Sequence, residues 1–208
     1  MRLSGERDTT RGRAGRGAMA LAALAFAAVG FGAAQVAADE PTALARITAL
    51  ALSPQDGMLW IGTPVGLARS GDQGHTLAPV ALPLKAAVPI TAVAVELRLP
   101  STVYVATAGE GVLKSEDGGQ AWAAANRGLT GLDVRGLAVS ATDGRLHVHV
   151  RGKGVFRSRS AARSWEWVDA GPPGVAQGLA PVNVASGMGG IYLYAATDRG
   201  LLRSADCF

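Results

Sequence analysis

One cysteine, Cys207, stands among the 208 residues, so the chain forms no internal disulfide and its fold does not depend on cross-links. Histidine is almost as scarce, with three, and beside His147 and His149 stands only His75, so no Cys and His cluster completes a zinc-type site. Charged residues make up 17% and hydrophobic residues 49%, a balance that excludes a charge-rich disordered chain. Aromatic residues are only 5%, so each large ring has a place to be explained. Beyond residue 38 no segment sustains the 3.6-residue period of an amphipathic helix, which excludes a helical bundle. In place of helices the chain has 28 glycines, spaced between short apolar runs.

Charge is unevenly placed. The chain has 20 Lys and Arg against 16 Asp and Glu, but Arg2, Arg7, Arg11, Arg13 and Arg16, with Glu6 and Asp8, all precede residue 39. The remainder is 15 against 14, net +1, which removes the support that a basic chain lends to nucleic-acid binding. An apolar stretch over residues 18–34 follows the arginines, then Val36-Ala37-Ala38 before Asp39-Glu40-Pro41. A basic start, an apolar centre and small residues at the end form the pattern of a secretory signal peptide over residues 1–38, cleaved after Ala38. The expectation is an exported protein, periplasmic or secreted; the alternative is an uncleaved N-terminal anchor, the one route by which a membrane enters. No Cys follows the apolar stretch, so a lipid anchor is not expected. Arg11-Gly12-Arg13 is not an adjacent arginine pair, which favours the general export route.

After the leader the sequence repeats itself. Ser115-Glu116-Asp117-Gly118-Gly119-Gln120-Ala121-Trp122 reads Ser-x-Asp-x-Gly-x-x-Trp. Ser70-Gly71-Asp72-Gln73-Gly74 keeps the Ser, Asp and Gly, with Leu77 in the aromatic place. Ser158 and Trp165 frame a third version that has Ser160 and Ala162 for the Asp and Gly. Ser204-Ala205-Asp206 begins a fourth, with Cys207 and Phe208 after it. The serines are 45, 43 and 46 residues apart, a period in which each repeat is one supersecondary unit. Upstream of each serine stand Leu59-Trp60-Ile61-Gly62-Thr63, Val103-Tyr104-Val105-Ala106-Thr107, Leu146-His147-Val148-His149-Val150 and Leu193-Tyr194-Ala195-Ala196-Thr197. A glycine and a run ending in Arg69, Lys114, Arg157 or Arg203 separate these from the serines. Further upstream lie Ile47-Thr48-Ala49-Leu50-Ala51-Leu52, Ile90-Thr91-Ala92-Val93-Ala94-Val95, Val134-Arg135-Gly136-Leu137-Ala138-Val139 and, more weakly, Val182-Asn183-Val184-Ala185. These read as strands joined by tight turns, three before each box and a fourth after it, such as residues 78–82. Four short antiparallel strands per repeat describe a propeller blade.

The repeats resemble the BNR, or Asp-box, β-propeller repeats of sialidases, other glycoside hydrolases, sortilin-type receptors and photosystem II stability/assembly-factor-like proteins. The likeness covers about residues 47–206. It implies an all-β propeller over residues 39–208, with four blades at about 47–89, 90–133, 134–177 and 178–208, the last incomplete. In the family the box occupies the hairpin between the third and fourth strands of a blade.

The box has structural work for each of its residues. An Asp in a tight turn accepts backbone N–H groups, Gly supplies a conformation that other residues resist, and Trp offers an apolar face to bury. Ser70, Asp72, Gly74, Ser115, Asp117, Gly119, Trp122, Ser158, Trp165, Ser204 and Asp206 are therefore read as turn and packing residues rather than catalytic ones. Without its Asp and Gly the third turn should be looser. The third repeat also gathers Arg145, Arg151, Lys153, Arg157, Arg159 and Arg163, with Asp143 and Glu166 nearby. These read as a solvated blade edge or as a patch for an anionic partner. His147 and His149 share a strand face. His147 falls in the ring column of Trp60, Tyr104 and Tyr194, whereas His149 is bulky in a column of Gly62, Ala106 and Ala196.

No cofactor or metal is expected. The chain closes as a small four-bladed ring, forms an open arc that a second copy completes, or is a piece of a longer propeller. Only residues 42–46 are left over to pair with the third strand of the last blade, whose edge otherwise invites self-association. No arginine cluster or catalytic Tyr–Glu pair of the sialidase kind is evident. The reading is an exported, non-enzymatic protein-binding or assembly scaffold with protein partners. The alternatives are a truncated or divergent sialidase-type glycoside hydrolase and a binder of glycans or small ligands.

Overall fold

The computed structural model describes residues 46–141, 143–173, 176–183 and 191–204, all within the compact unit Asp39–Phe208. The leader at residues 1–38, the spare segment at residues 42–45, and Asp206 and Cys207 lie outside the described residues. All regular structure among those described is strand, arranged as four antiparallel sheets around a common axis. Blade 1 is β1 (Ala49–Leu52), β2 (Leu59–Thr63), β3 (Gly66–Ser70) and β4 (Ala78–Val80). Blade 2 is β5 (Ile90–Val95), β6 (Val103–Thr107), β7 (Val112–Ser115) and β8 (Ala123–Ala124). Blade 3 is β9 (Val134–Val139), β10 (Leu146–Val150), β11 (Gly154–Ser158) and β12 (Glu166–Asp169). Blade 4 is β13 (Ala176–Asn183), β14 (Ile191–Thr197) and β15 (Gly200–Arg203). In each blade the strands pair in chain order, the first innermost, so the expected propeller of four blades is the observed fold.

Registers superimpose from blade to blade. Leu50 pairs with Ile61, Val93 with Val105, Leu137 with Val148 and Leu179 with Ala195. The innermost strand of blade 4 therefore starts well before the expected run at residue 182. Val182 lies near its end, opposite Tyr192. The physical reason is Leu179: only this earlier strand places an apolar side chain over Gly136 of blade 3, where an added Cβ would meet the leucine at 2.8 Å.

Alternation divides each sheet into two faces. The trailing face of one blade packs on the leading face of the next. Trp60 and Leu67 of blade 1 meet Ile90, Val93, Val95, Val103, Val105 and Leu113 of blade 2 in one buried cluster. Tyr104, Ala106 and Val112 of blade 2 meet Val134, Leu137, Leu146, Val148, Val150 and Phe156 of blade 3 in a second. Each fully buried Val, Leu or Phe contributes about 1.5–3 kcal/mol, so the blades are held chiefly by one another. Near the axis the contacts are polar. Thr48 donates its hydroxyl to the Ile90 carbonyl at 2.6 Å, and Thr91 donates to that of Val134 at 2.7 Å.

Candidate functional site

The box turns explain why the motif has its spacing. Ser115 Oγ donates to Asp117 Oδ1 at 2.8 Å and accepts the Gly119 N–H at 2.8 Å. Asp117 Oδ1 also accepts the N–H groups of Gln120 and Ala121, both at 2.9 Å. In blade 1, Ser70 Oγ donates to Asp72 Oδ1 at 2.7 Å and accepts the Gly74 N–H at 2.8 Å. Thr76 donates its N–H to Asp72 Oδ1 at 2.9 Å and its hydroxyl to Oδ2 at 2.6 Å. Hydrogen bonds from Thr76 and Ser70 hold the Asp72 carboxyl well below the usual carboxylate range. Those from the Ala121 N–H and Ser115 lower that of Asp117. Both carboxylates are thus ionised acceptors inside their own turns, not acids poised to give a proton. Ser204, described up to its own position, accepts the Leu193 N–H at 3.1 Å.

The third turn keeps the same path on longer hydrogen bonds, Ser158 Oγ lying 3.4 Å from Ser160 Oγ where Ser115 Oγ lies 2.8 Å from Asp117 Oδ1. Ser160 stands in for the aspartate, its Oγ accepting the Ser164 N–H at 3.1 Å, while Ser158 Oγ accepts the Ala162 N–H at 3.0 Å. The path is kept at the expense of the backbone: Ala161 and Ala162 have φ of 52° and 64°, where blade 2 has Gly118 and Gly119. The boxes of blades 2 and 3 also cap the interface before them. A Cβ on Gly119 would collide with the Trp60 ring, and Ala162 joins the cluster around Tyr104. Trp122 stands edge-on to Trp60 at 6.1 Å but is only half-buried, less than the motif suggested. Trp165 is buried and donates its Nε1–H to the Ala125 carbonyl at 2.6 Å.

Sequence reasoning missed that the ring column faces the basic column. Trp60 pairs with Arg69, Tyr104 with Lys114, His147 with Arg157 and Tyr194 with Arg203. Lys114 Nζ lies 5.8 Å from the Tyr104 ring centre, and Arg69 reaches across to the Gly118 carbonyl of the next box at 3.0 Å. The signal was present in the aligned columns, but only strand pairing makes the two columns neighbours.

The six basic residues of blade 3 do not form one patch. Arg145 precedes β10 and Arg151 and Lys153 follow it, so they stand at opposite ends of that strand. Most are paired: Arg145 with Asp143 at 2.9 Å, Arg151 with Asp133 at 3.7 Å, and Arg157 and Arg159 with Glu166 at 2.8 and 3.5 Å. Asp133 comes from the preceding loop, out of reach of any local reading of the repeat. Arg159 and Arg163 line a cleft of about 340 Å³ with Glu96, Tyr104 and Glu116. Tyr104 and Glu96 thus line the same cleft, yet Tyr104 is wholly buried and burial raises both groups above their ordinary pKa values.

His147 and His149 are buried between blades 3 and 4. Burial, then Arg157, pushes His147 down to about 4, and burial lowers His149. His149 finds room because its cross-strand partner is Gly136 and because Gly171, with φ of 86°, passes close to its ring. Among the described residues no group of three or more His, Cys, Asp or Glu side chains is placed to hold a metal ion.

Described residues from all four blades converge at the axial mouth. A cleft of about 540 Å³ there is lined by Arg46, Thr48, Pro64, Pro89, Ile90, Thr91, Arg135, Ala176 and Gln177. Thr48, Thr91, Arg135 and Gln177 occupy equivalent places at the start of the inner strands. Arg135 is held by Asp133 at 2.7 Å, whereas Arg46 is exposed.

No family model and no curated protein matches the chain. Solved structures do. One chain of a nidogen/laminin complex is 12% identical with a TM-score of 0.59, covering 76% of this chain and 60% of that one. An auxiliary nutrient binding protein from Bacteroides thetaiotaomicron is 12% identical with a TM-score of 0.58, covering 76% and 38%. A GH74 xyloglucanase from Xanthomonas campestris is 19% identical with a TM-score of 0.54, covering 76% and 29%. The chain spans less than two thirds of each. At these identities the likeness establishes a shared β-propeller fold.

Proposed function

We propose that this chain is an exported, non-enzymatic β-propeller that holds a segment of another protein at its axial mouth. The Asp-box reading of the repeats belongs to the same proposal. The observation that carries it is the fate of the reactive side chains. Asp72 and Asp117 are consumed by their turns, Tyr104 and His147 by blade packing, and Arg145, Arg157 and Arg159 by ion pairs. The mouth draws described residues from every repeat, and it is wide, mixed in polarity and bordered by Pro64 and Pro89. Such a surface suits an extended chain with its own carbonyls and amides better than a small reacting substrate.

Affinity capture with the immobilised full chain, repeated with Arg46→Glu and Gln177→Arg, tests this. A discrete exported protein retained by the wild type and lost with both variants is the expected result. Saturable hydrolysis of a sialoside, lost in Tyr104→Phe or Glu96→Gln, would overturn it in favour of the glycoside hydrolase.

A further inference from the structure

The two ends of the blade series carry opposite halves of an interface that the chain builds repeatedly within itself. In the third strand of each blade, the first residue after the glycine faces the next blade. Leu67 is 4% exposed there, Val112 0% and Val155 4%, but Leu201 of blade 4 is 71% exposed. Ala106 and His149 are buried in the neighbouring column of the second strand, and Ala196 is exposed. The leading face repeats the contrast in reverse. Val93 and Leu137 are 8% and 5% exposed, while Leu50, their counterpart in blade 1, is 58% exposed. Val95 is 7% exposed and its counterpart Leu52 is 61% exposed.

We infer that the trailing face of blade 4 docks on the leading face of blade 1 in a second copy, two copies closing head to tail into a ring of eight blades, four from each. The second copy is the occupant that the columns specify. Tyr194, Ala196 and Leu201 reproduce Tyr104, Ala106 and Val112, and Leu50 and Leu52 reproduce the Val93 and Val95 side of an existing interface. The cation matches too. Arg69 of blade 1 bonds the Gly118 carbonyl in the box of blade 2 at 3.0 Å. Arg203 is its exposed counterpart, resting over the Tyr192 ring at 4.9 Å, and the corresponding carbonyl belongs to Gln73 of the second copy. A head-to-tail contact closes when the rotation per copy divides the circle, and eight blades lie within the range that propellers adopt. Uncovered apolar faces of this kind mark association sites.

The inference stands apart from the binding role proposed above, because association and capture are read separately. The experiment is light scattering on the size-fractionated full chain over a range of concentrations, for the wild type, Leu201→Glu and Leu50→Glu, with circular dichroism to verify folding. Ala196→Arg and Leu52→Lys serve if either first variant does not fold. The expected result is a wild-type mass of twice the chain, and the single-chain mass for a variant at either face. A monomeric wild type, a dimer that survives both substitutions, or a series of larger species would each overturn the two-copy ring.

Discussion

Ala161 and Ala162 occupy backbone conformations that blade 2 gives to Gly118 and Gly119, and that Gln73 shares at the place of Ala161 in blade 1, because the hydrogen bonds of the turn outweigh the strain. Ser158 and Ser160 supply the acceptors that Ser115 and Asp117 supply in blade 2, so the path survives without the carboxylate. Ala161 is exposed and its side chain packs on nothing in the apolar clusters. Ala161→Gly should therefore stabilise the protein by about 0.5–1 kcal/mol, the relief of a left-handed alanine less the added freedom of the unfolded chain. Urea denaturation checks it, and an unchanged or lower midpoint contradicts the reading of the turn. The aspartates of the other boxes make an acid prediction. Their folded pKa values lie below the ordinary 3.8, so the stability they contribute is full above that value and is lost as pH falls through the lowered ones. Asp72→Asn with Asp117→Asn should flatten the loss of stability below pH of about 4, as read by thermal melts at stepped pH.

Blades were legible in the sequence because each strand obeys local rules. The Gly and Thr columns mark turns, and Thr63, Thr107 and Thr197 donate their hydroxyls to the carbonyls of Gly66, Gly111 and Gly200. The packing between blades was not legible, since it depends on partners about one repeat away. The start of β13 is the clearest case, because Leu179 is chosen by Gly136 of the preceding blade rather than by its own neighbours. That contact gives a paired prediction. Gly136→Ala should cost about 1–3 kcal/mol through overpacking, whereas Gly71→Ala, where an added Cβ would meet only the Met58 methyl at 3.7 Å, should change stability by less than about 0.5 kcal/mol. Equal effects in chemical denaturation would mean that blades 3 and 4 do not pack as described. The tryptophans rank the same way. Trp165→Ala should cost about 3–5 kcal/mol and Trp122→Ala clearly less, because only the first is buried.

At the scale of the whole molecule the interface of blades 3 and 4 differs from the others in carrying two buried imidazoles. Their pKa values are lowered below 6.5, that of His147 to about 4, so the unfolded chain takes up protons first. Stability should be full above the ordinary value and decline as pH falls from about 6.5 toward 4. His147→Tyr, which restores the ring found in blades 2 and 4, should remove much of that slope in melts between those pH values. The central claim is that every repeat of about 45 residues is one blade, with its second strand hydrogen-bonded on both sides. Native-state amide hydrogen exchange of the full chain tests this most directly. The account predicts that the slowest amides recur in Leu59–Thr63, Val103–Thr107, Leu146–Val150 and Ile191–Thr197, with fast exchange in the box turns between them. Protection gathered in one contiguous block, or spread without that recurrence, would contradict it.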